Sequence, residues 1–383
     1  RSDNAAAGTW DNAARAMDPP GLTPGLLVAP ARFTWEAREA GGPRASRRTY
    51  GDPRMRILAA DLGATKTLLQ FAEHAHGSWH VRAQRRCENA AYEDFDELVA
   101  AFLRLAAIAP EDIDGACFAV AGPVRAGTVA MTNRAWTIDA ARLRERFRLP
   151  GVAVINDLEA AGYGLASVPA ASLLVLHPGV PCDNGVRALI GAGTGLGEAW
   201  MIGRDEQCEV FPGEGGHVDF APRDALEREL ASALAEQLGR VSYEHLLSGA
   251  GLRRIFDFLR ARGGPPVTRQ LLHDIEHGDP AAAITGHVAS DPVARQTVER
   301  YVAIYGAQCA NLALTVGARG GVCVVGGIAP KLAPMLRAGG FVRAFLDHPV
   351  MADYLARIAL TVVLDDAVAL LGARAVAARN VGA

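Results

Sequence analysis

Apolar residues along this chain gather in short runs that end abruptly at glycine, proline or a polar pair. Ile57-Leu-Ala-Ala stops at Asp61, Gly115 to Val120 stops at the breaker Gly122-Pro123, Val152-Ala-Val-Ile stops at Asn156-Asp157, and Val322-Cys-Val-Val stops at Gly326-Gly327. Runs this short, bounded by turn residues, predict buried strands. Similar runs predict strands at 173–176, 187–190 and 358–364. Between them the spacing becomes helical, as at Phe95, Leu98, Val99, Phe102 and Leu105 within 93–109. The same period predicts helices over 139–148, 158–165, 224–247, 252–262 and 293–316, and from 367 onward. In this pattern Ser242 reads as a helix N-cap that places Glu244 in a first turn, where the helix dipole favours a carboxylate. Strands interleaved with helices predict an α/β fold. The strand–turn–strand openings at 57–71 and 187–202 resemble each other and suggest two related halves.

Residues 1–54 show no sustained period and are rich in Ala, Pro, Gly and Arg, which predicts disorder. Acidic residues and the lack of a long apolar core argue against a transit or secretory peptide there. Met55 stands just before the first strand and is expected to be the natural start, with the preceding segment a dispensable or non-native extension. The 383 residues leave room for two domains. With a net charge of −3 and no basic run interleaved with aromatics, nucleic acid is excluded as an expected partner. No apolar run approaches the roughly 20 residues that span a bilayer, so a soluble protein is expected. The six cysteines have no C-x-x-C pair and fit neither a zinc site nor a disulfide framework, so reduced thiols in a cytoplasmic protein are expected.

Candidate chemistry concentrates in residues 189–219. Gly191, Gly193, Gly195 and Gly197 flank Thr194, and glycines let backbone N–H groups approach an anion while the threonine adds a hydroxyl. A dinucleotide fingerprint would open a helix. Here Glu198 to Ile202 is short and largely apolar and ends at Gly203, so a β-hairpin follows, a form that an ordinary glycine-rich hairpin also takes. Downstream, Gly213, Gly215 and Gly216 surround Glu214 and His217, a loop wall suited to sugar hydroxyls, which donate and accept at once; a solvated turn has the same composition. Ala60-Asp61-Leu62-Gly63-Ala64-Thr65 forms a second tight turn, able to wrap phosphates while Asp61 faces Mg²⁺ through water, or equally a plain polar hairpin. Asp157 lies at the carboxyl end of a strand, where open α/β sheets bind ligands, although Asn-Asp there also caps the following helix. Backbone at Gly326-Gly327 is placed to lie against an adenine ring.

In this order the segments resemble the bacterial glucokinase family of the actin, hexokinase and heat-shock ATPase superfamily. The resemblance runs from about Ile57 to Gly372 and rests on Asp61-Leu-Gly-Ala-Thr65, Met131-Thr-Asn-Arg-Ala-Trp136, Ile155-Asn-Asp157, Gly191-Ala-Gly-Thr-Gly-Leu-Gly197, Pro212 to Pro222, Leu247-Ser-Gly-Ala-Gly251 and Gly320 to Ile328. It implies a two-lobed ribonuclease-H-like fold with an interlobe cleft: a small lobe of 55–166 joined by the C-terminal helix 367–383, and a large lobe of 167–366. It further implies transfer of the ATP γ-phosphoryl group to the 6-hydroxyl of glucose, with Asp157 as general base and Asn156, Glu214, His217 and Glu244 binding sugar hydroxyls. ATP with Mg²⁺ would lie against Ala60 to Thr65, Gly193 to Gly195 and Gly326-Gly327, in a cytoplasmic homodimer. Ala64 and Lys66 depart from the family's usual second glycine and frequent asparagine. The neighbouring ROK family shares the Glu-x-Gly-His element, but its cysteine cluster is missing here. A kinase for another hexose and a sugar-sensing regulator are the alternatives; Asp157 argues for the enzyme, because a sensor needs no base.

Overall fold

The computed structural model describes residues 54–131, 134–203 and 207–381. The predictions for residues 1–53, and the Thr132-Asn133 part of one family segment, lie outside them. Thirteen strands are described: β1 Met55–Leu62, β2 Lys66–Ala75, β3 Ser78–Glu88, β4 Gly115–Val120, β5 Thr128–Ala130, β6 Thr137–Asp139, β7 Val152–Asn156, β8 Leu173–His177, β9 Arg187–Ala192, β10 Leu196–Ile202, β11 Glu209–Gly213, β12 Gly321–Val325 and β13 Leu360–Val363. The helices are α1 Phe95–Leu105, α2 Ala140–Phe147, α3 Asp157–Gly164, α4 Ala225–Leu238, α5 Gly249–Ala261, α6 Arg269–His277, α7 Pro280–Gly286, α8 Pro292–Val316, α9 Ala333–Arg337, α10 Gly340–Leu346, α11 Ala352–Leu355 and α12 Val368–Val381.

The strands form two main sheets of matching plan. The first runs β3-β2-β1-β4-β7 and the second β11-β10-β9-β12-β13-β8, while β5 and β6 make a small hairpin. In each sheet a three-stranded antiparallel meander is joined through its first strand to two parallel strands, and in the second β8, which precedes the meander in the chain, adds an antiparallel edge. The hairpins β1–β2 and β9–β10 therefore occupy equivalent places, as the resemblance between 57–71 and 187–202 predicted.

Each sheet buries its outer face under helices of its own unit. Phe95, Leu98 and Phe102 of α1 pack with Leu58, Phe118 and Val154 of the first sheet. Tyr301, Tyr305 and Ile304 of α8 pack with Ile190 and Val324 of the second. A third core joins the sheets, where Ile57, Ala59 and Cys117 of one and Leu189, Ala199 and Met201 of the other enclose α3 and α12. Those two helices cross at glycines. A Cβ at Gly164 would overlap the Val368 carbonyl, and one at Gly372 would overlap the Ala160 carbonyl, so hydrogen is the only side chain that the crossing accepts.

Three predicted features differ. The helix expected over 224–247 ends at Leu238, because Gly239 at φ 72° breaks it. Residues 242–247 are turns instead, and the next N-cap is Ser248, whose hydroxyl accepts the Gly251 amide. Ser242 forms a bridge with Asp219, so it is not a cap. The region between 262 and 293, which Gly263-Gly264-Pro265-Pro266 and Asp291-Pro292 mark as rich in loops, also holds α6 and α7, started by the side chains of Thr268 and Asp279. Among the described residues no helix is long and apolar enough to cross a membrane.

Candidate active site

Parallel pairing of β1, β4 and β7 brings Asp61 and Asn156-Asp157 to one edge of the first sheet, since Asp61 lies beside Ala119 and Asn156 beside Val120. Asn156 caps α3: its Oδ1 accepts the Leu158 and Glu159 amides at 2.8 and 3.2 Å, and its Nδ2 donates to the Gly122 carbonyl at 3.1 Å. A cap of this kind is worth about 1 kcal/mol. It leaves one Nδ2 hydrogen for a ligand. The Asp157 carboxylate accepts the Leu158 amide at 2.9 Å. Burial, opposed by that backbone donor and reinforced by the charge of Glu214, raises the Asp157 pKa to about 6. Burial and then the charge of Asp157 raise Asp61 to about 7, against the pull of Arg86.

Leu158 fastens this edge to the second unit. A Cβ at Gly197 would overlap its side chain, and one at Gly191 would lie 3.3 Å from it, so the glycines at both ends of the β9–β10 hairpin make room for the residue that follows Asp157. The hairpin tip has a different use for glycine. At Gly193 an added Cβ would meet nothing within 4 Å, and the same holds at Gly327. These residues bound open space, where a bare backbone admits an anion or a flat ring. Gly326, at φ 87°, turns the chain beside the hairpin, and the Ile328 amide donates to the Ala192 carbonyl at 3.3 Å. From the other side the Gly249 amide, at the start of α5, donates to the Gly193 carbonyl at 2.9 Å. Thr194 is exposed at the tip.

The first loop is held by a residue that the sequence reading passed over. Asn89 is fully buried, accepts from Thr67 Oγ1 at 2.7 Å, donates Nδ2 to the Gly63 carbonyl at 3.0 Å, and donates its amide to the Thr65 carbonyl at 2.8 Å. A lone asparagine in a polar stretch gives no sequence signal for such a clamp. Lys66, beside the loop, pairs with Glu88 at 3.0 Å.

Glu214, His217 and Glu244 come together although two of them lie on a different segment from the third. His217 Nε2 stands 3.8 Å from Glu214 Oε2, and its Nδ1 stands 3.9 Å from Glu244 Oε1. These distances exceed hydrogen bonds, so the groups keep their donors and acceptors for a ligand. Glu244 also reaches the glycine hairpin: its Oε2 accepts the Leu196 amide at 3.0 Å. Gly195 must be glycine for this, because a Cβ there would overlap the Glu244 carboxylate. Glu244 is thus held in a turn by specific partners and does not sit in the first turn of a helix.

The arrangement joins two glycine loops, a half-buried carboxylate of raised pKa and a cluster with free hydrogen-bonding groups. Among the described residues no group of three or more His, Cys, Asp or Glu gathers to hold a metal ion. A single carboxylate such as Asp61 fits an ion that arrives with a nucleotide and keeps most of its water.

The glucokinase family model matches residues 58–380. A glucokinase from Nostoc sp. is 37% identical over 340 residues, covering 84% of this chain and 99% of the relative. The crystal structure of a glucokinase from an Antarctic psychrotroph superposes with a TM-score of 0.69 at 27% identity, covering 85% of this chain and 99% of that one. A ROK family glucokinase from Streptomyces griseus, solved with glucose and AMPPNP, shares the fold at a TM-score of 0.60 and 21% identity, covering 85% of this chain and 99% of that one. On these grounds the chain belongs to the glucokinase family of sugar kinases.

Proposed function

We propose that the chain transfers the γ-phosphoryl group of ATP to the 6-hydroxyl of D-glucose, giving glucose 6-phosphate and ADP. The observation that carries this reading is Asp157, a half-buried carboxylate with a pKa near 6, fixed through Leu158 to the glycine hairpin and lying near Glu214. As the sugar oxygen bonds to phosphorus and the bond to the ADP oxygen breaks, the hydroxyl proton passes to Asp157. A base of pKa 6 is ionised at neutral pH yet basic enough to receive that proton. Glu214, His217 and Glu244, with the remaining Nδ2 hydrogen of Asn156, hold the other hydroxyls. Gly63 to Thr65, Gly193 to Gly195 and Gly326-Gly327 hold the nucleotide. Mg²⁺ bound to the nucleotide would neutralise phosphate charge, and Asp61 is the residue that would hold it, through water. The homodimer and the cytoplasmic location are supported by the family likeness alone.

The pH profile tests the assignment. Asp157 must be ionised to act, so kcat/KM for glucose should fall as pH drops through about 6, about tenfold per pH unit below it. A profile flat from pH 5 to 8 would remove Asp157 as the base.

A further inference from the structure

Beneath the sugar-facing residues lies a buried carboxylate with no part in the proposed chemistry. Glu198 is 4% exposed on β10, opposite Gly213 of β11. A Cβ at Gly215 would overlap its carboxylate, and one at Gly216 would overlap the Leu196 carbonyl, so the two glycines lie flat on the β10 backbone and on this side chain. Glu198 Oε1 accepts from Gln308 Nε2 at 2.8 Å, and Gln308 on α8 is 3% exposed. Asn311, one turn further along α8, donates to Gln308 Oε1 at 3.0 Å and to the Tyr243 hydroxyl at 2.8 Å. Tyr243 returns the chain of bonds to the site, because its amide donates to the Val218 carbonyl at 3.2 Å and the next amide, of Glu244, donates to the Gly216 carbonyl at 2.8 Å.

We propose that Glu198 is a positioning residue for sugar recognition: through Gln308, Asn311 and Tyr243 it fixes the spacing between the Glu214–His217 segment and Glu244. This rests on the sugar-site reading above. A buried carboxylate is costly unless hydrogen bonded, and an aliphatic side chain would fill the space on a sheet more cheaply. What the carboxylate supplies is direction. It packs beneath a glycine segment, which has little stiffness of its own, and is bonded to the middle of the long helix α8. Both segments that carry the sugar-facing groups then rest on one connected set of polar side chains, while the loop at Gly326-Gly327 lies outside it and the glycine hairpin meets it through the Glu244 carboxylate, whose bond to the Leu196 amide does not depend on Glu198.

The test is steady-state kinetics of the full chain with glucose and ATP varied separately, together with thermal melting, for Glu198→Ala, Glu198→Gln, Asn311→Ala and His217→Asn. Glu198→Ala should raise KM for glucose by about tenfold while kcat and KM for ATP stay within about twofold. Glu198→Gln, which keeps the acceptor facing Gln308, should recover KM to within about threefold, and Asn311→Ala should raise it by about threefold. An unchanged glucose KM in Glu198→Ala overturns the proposal. So do parallel changes in kcat and both KM values that follow the loss of melting temperature, which would mark a purely structural role. If Glu198→Ala does not fold, an unchanged glucose KM in Asn311→Ala overturns it. No effect of His217→Asn on glucose KM would instead fault the sugar site itself, and this proposal with it.

Discussion

Asp157→Asn should lower kcat for glucose by about 10²–10⁴-fold while glucose still binds with nearly the parent affinity. The amide keeps the shape and the Oδ1 that accepts the Leu158 amide, so α3 and the placement of Leu158 against Gly191 and Gly197 should survive. What is lost is a group that can take a proton. Stability gives an independent check on the same substitution. Because burial raises the Asp157 pKa above its ordinary 3.8 to about 6, the stabilisation that comes from its neutral form is full at low pH and is lost as pH rises through 6. The neutral amide removes that loss, so at pH 8 the variant should melt no lower than the parent. A fall in kcat together with a fall in melting temperature would point to local unfolding and away from a missing base.

Glu244→Ala should be the most damaging change on the sugar side, with KM for glucose raised by about 100-fold and KM for ATP raised as well. The double effect follows from its two contacts. One carboxylate oxygen faces His217, and the other accepts the Leu196 amide at the root of the glycine hairpin. A hydrogen bond to a charged group contributes about 1.5–3 kcal/mol, and the deleted acceptor leaves the Leu196 amide unpaired. His217→Asn touches only the first set of contacts and should raise the glucose KM alone. Separate titrations of the two substrates distinguish the cases, and an ATP KM unchanged in Glu244→Ala would break the proposed link between Glu244 and the hairpin.

Much of this was legible in the chain because strand ends and glycine clusters leave local marks. The β9–β10 hairpin was readable since glycines at 191, 193, 195 and 197 have no place in a helix, and the ends of β1 and β7 were readable from apolar runs that stop at Asp61 and Asn156. What the residues could not disclose were reasons that lie far away in sequence. Gly195 is glycine because of Glu244, and Gly215 because of Glu198. Glu244 has neighbours of helical spacing, but the chain breaks locally at Gly239, and the turn that carries Glu244 is set by tertiary partners, the Val218 and Gly216 carbonyls. β3 escaped notice because most of its residues are polar and exposed, although Trp79, Val81, Ala83 and Cys87 fall on alternate positions. β11 escaped because Pro212 and Gly213 read as a turn; at the edge of a sheet, proline is tolerated.

The most direct test of the central assignment is ATP-dependent phosphoryl transfer by the purified chain, measured in parallel on glucose, mannose, fructose and N-acetylglucosamine with a no-sugar control. The expected result is a kcat/KM for glucose at least about tenfold above each other sugar, and negligible ATP hydrolysis without sugar. Folded protein that transfers phosphate to none of the four would contradict it.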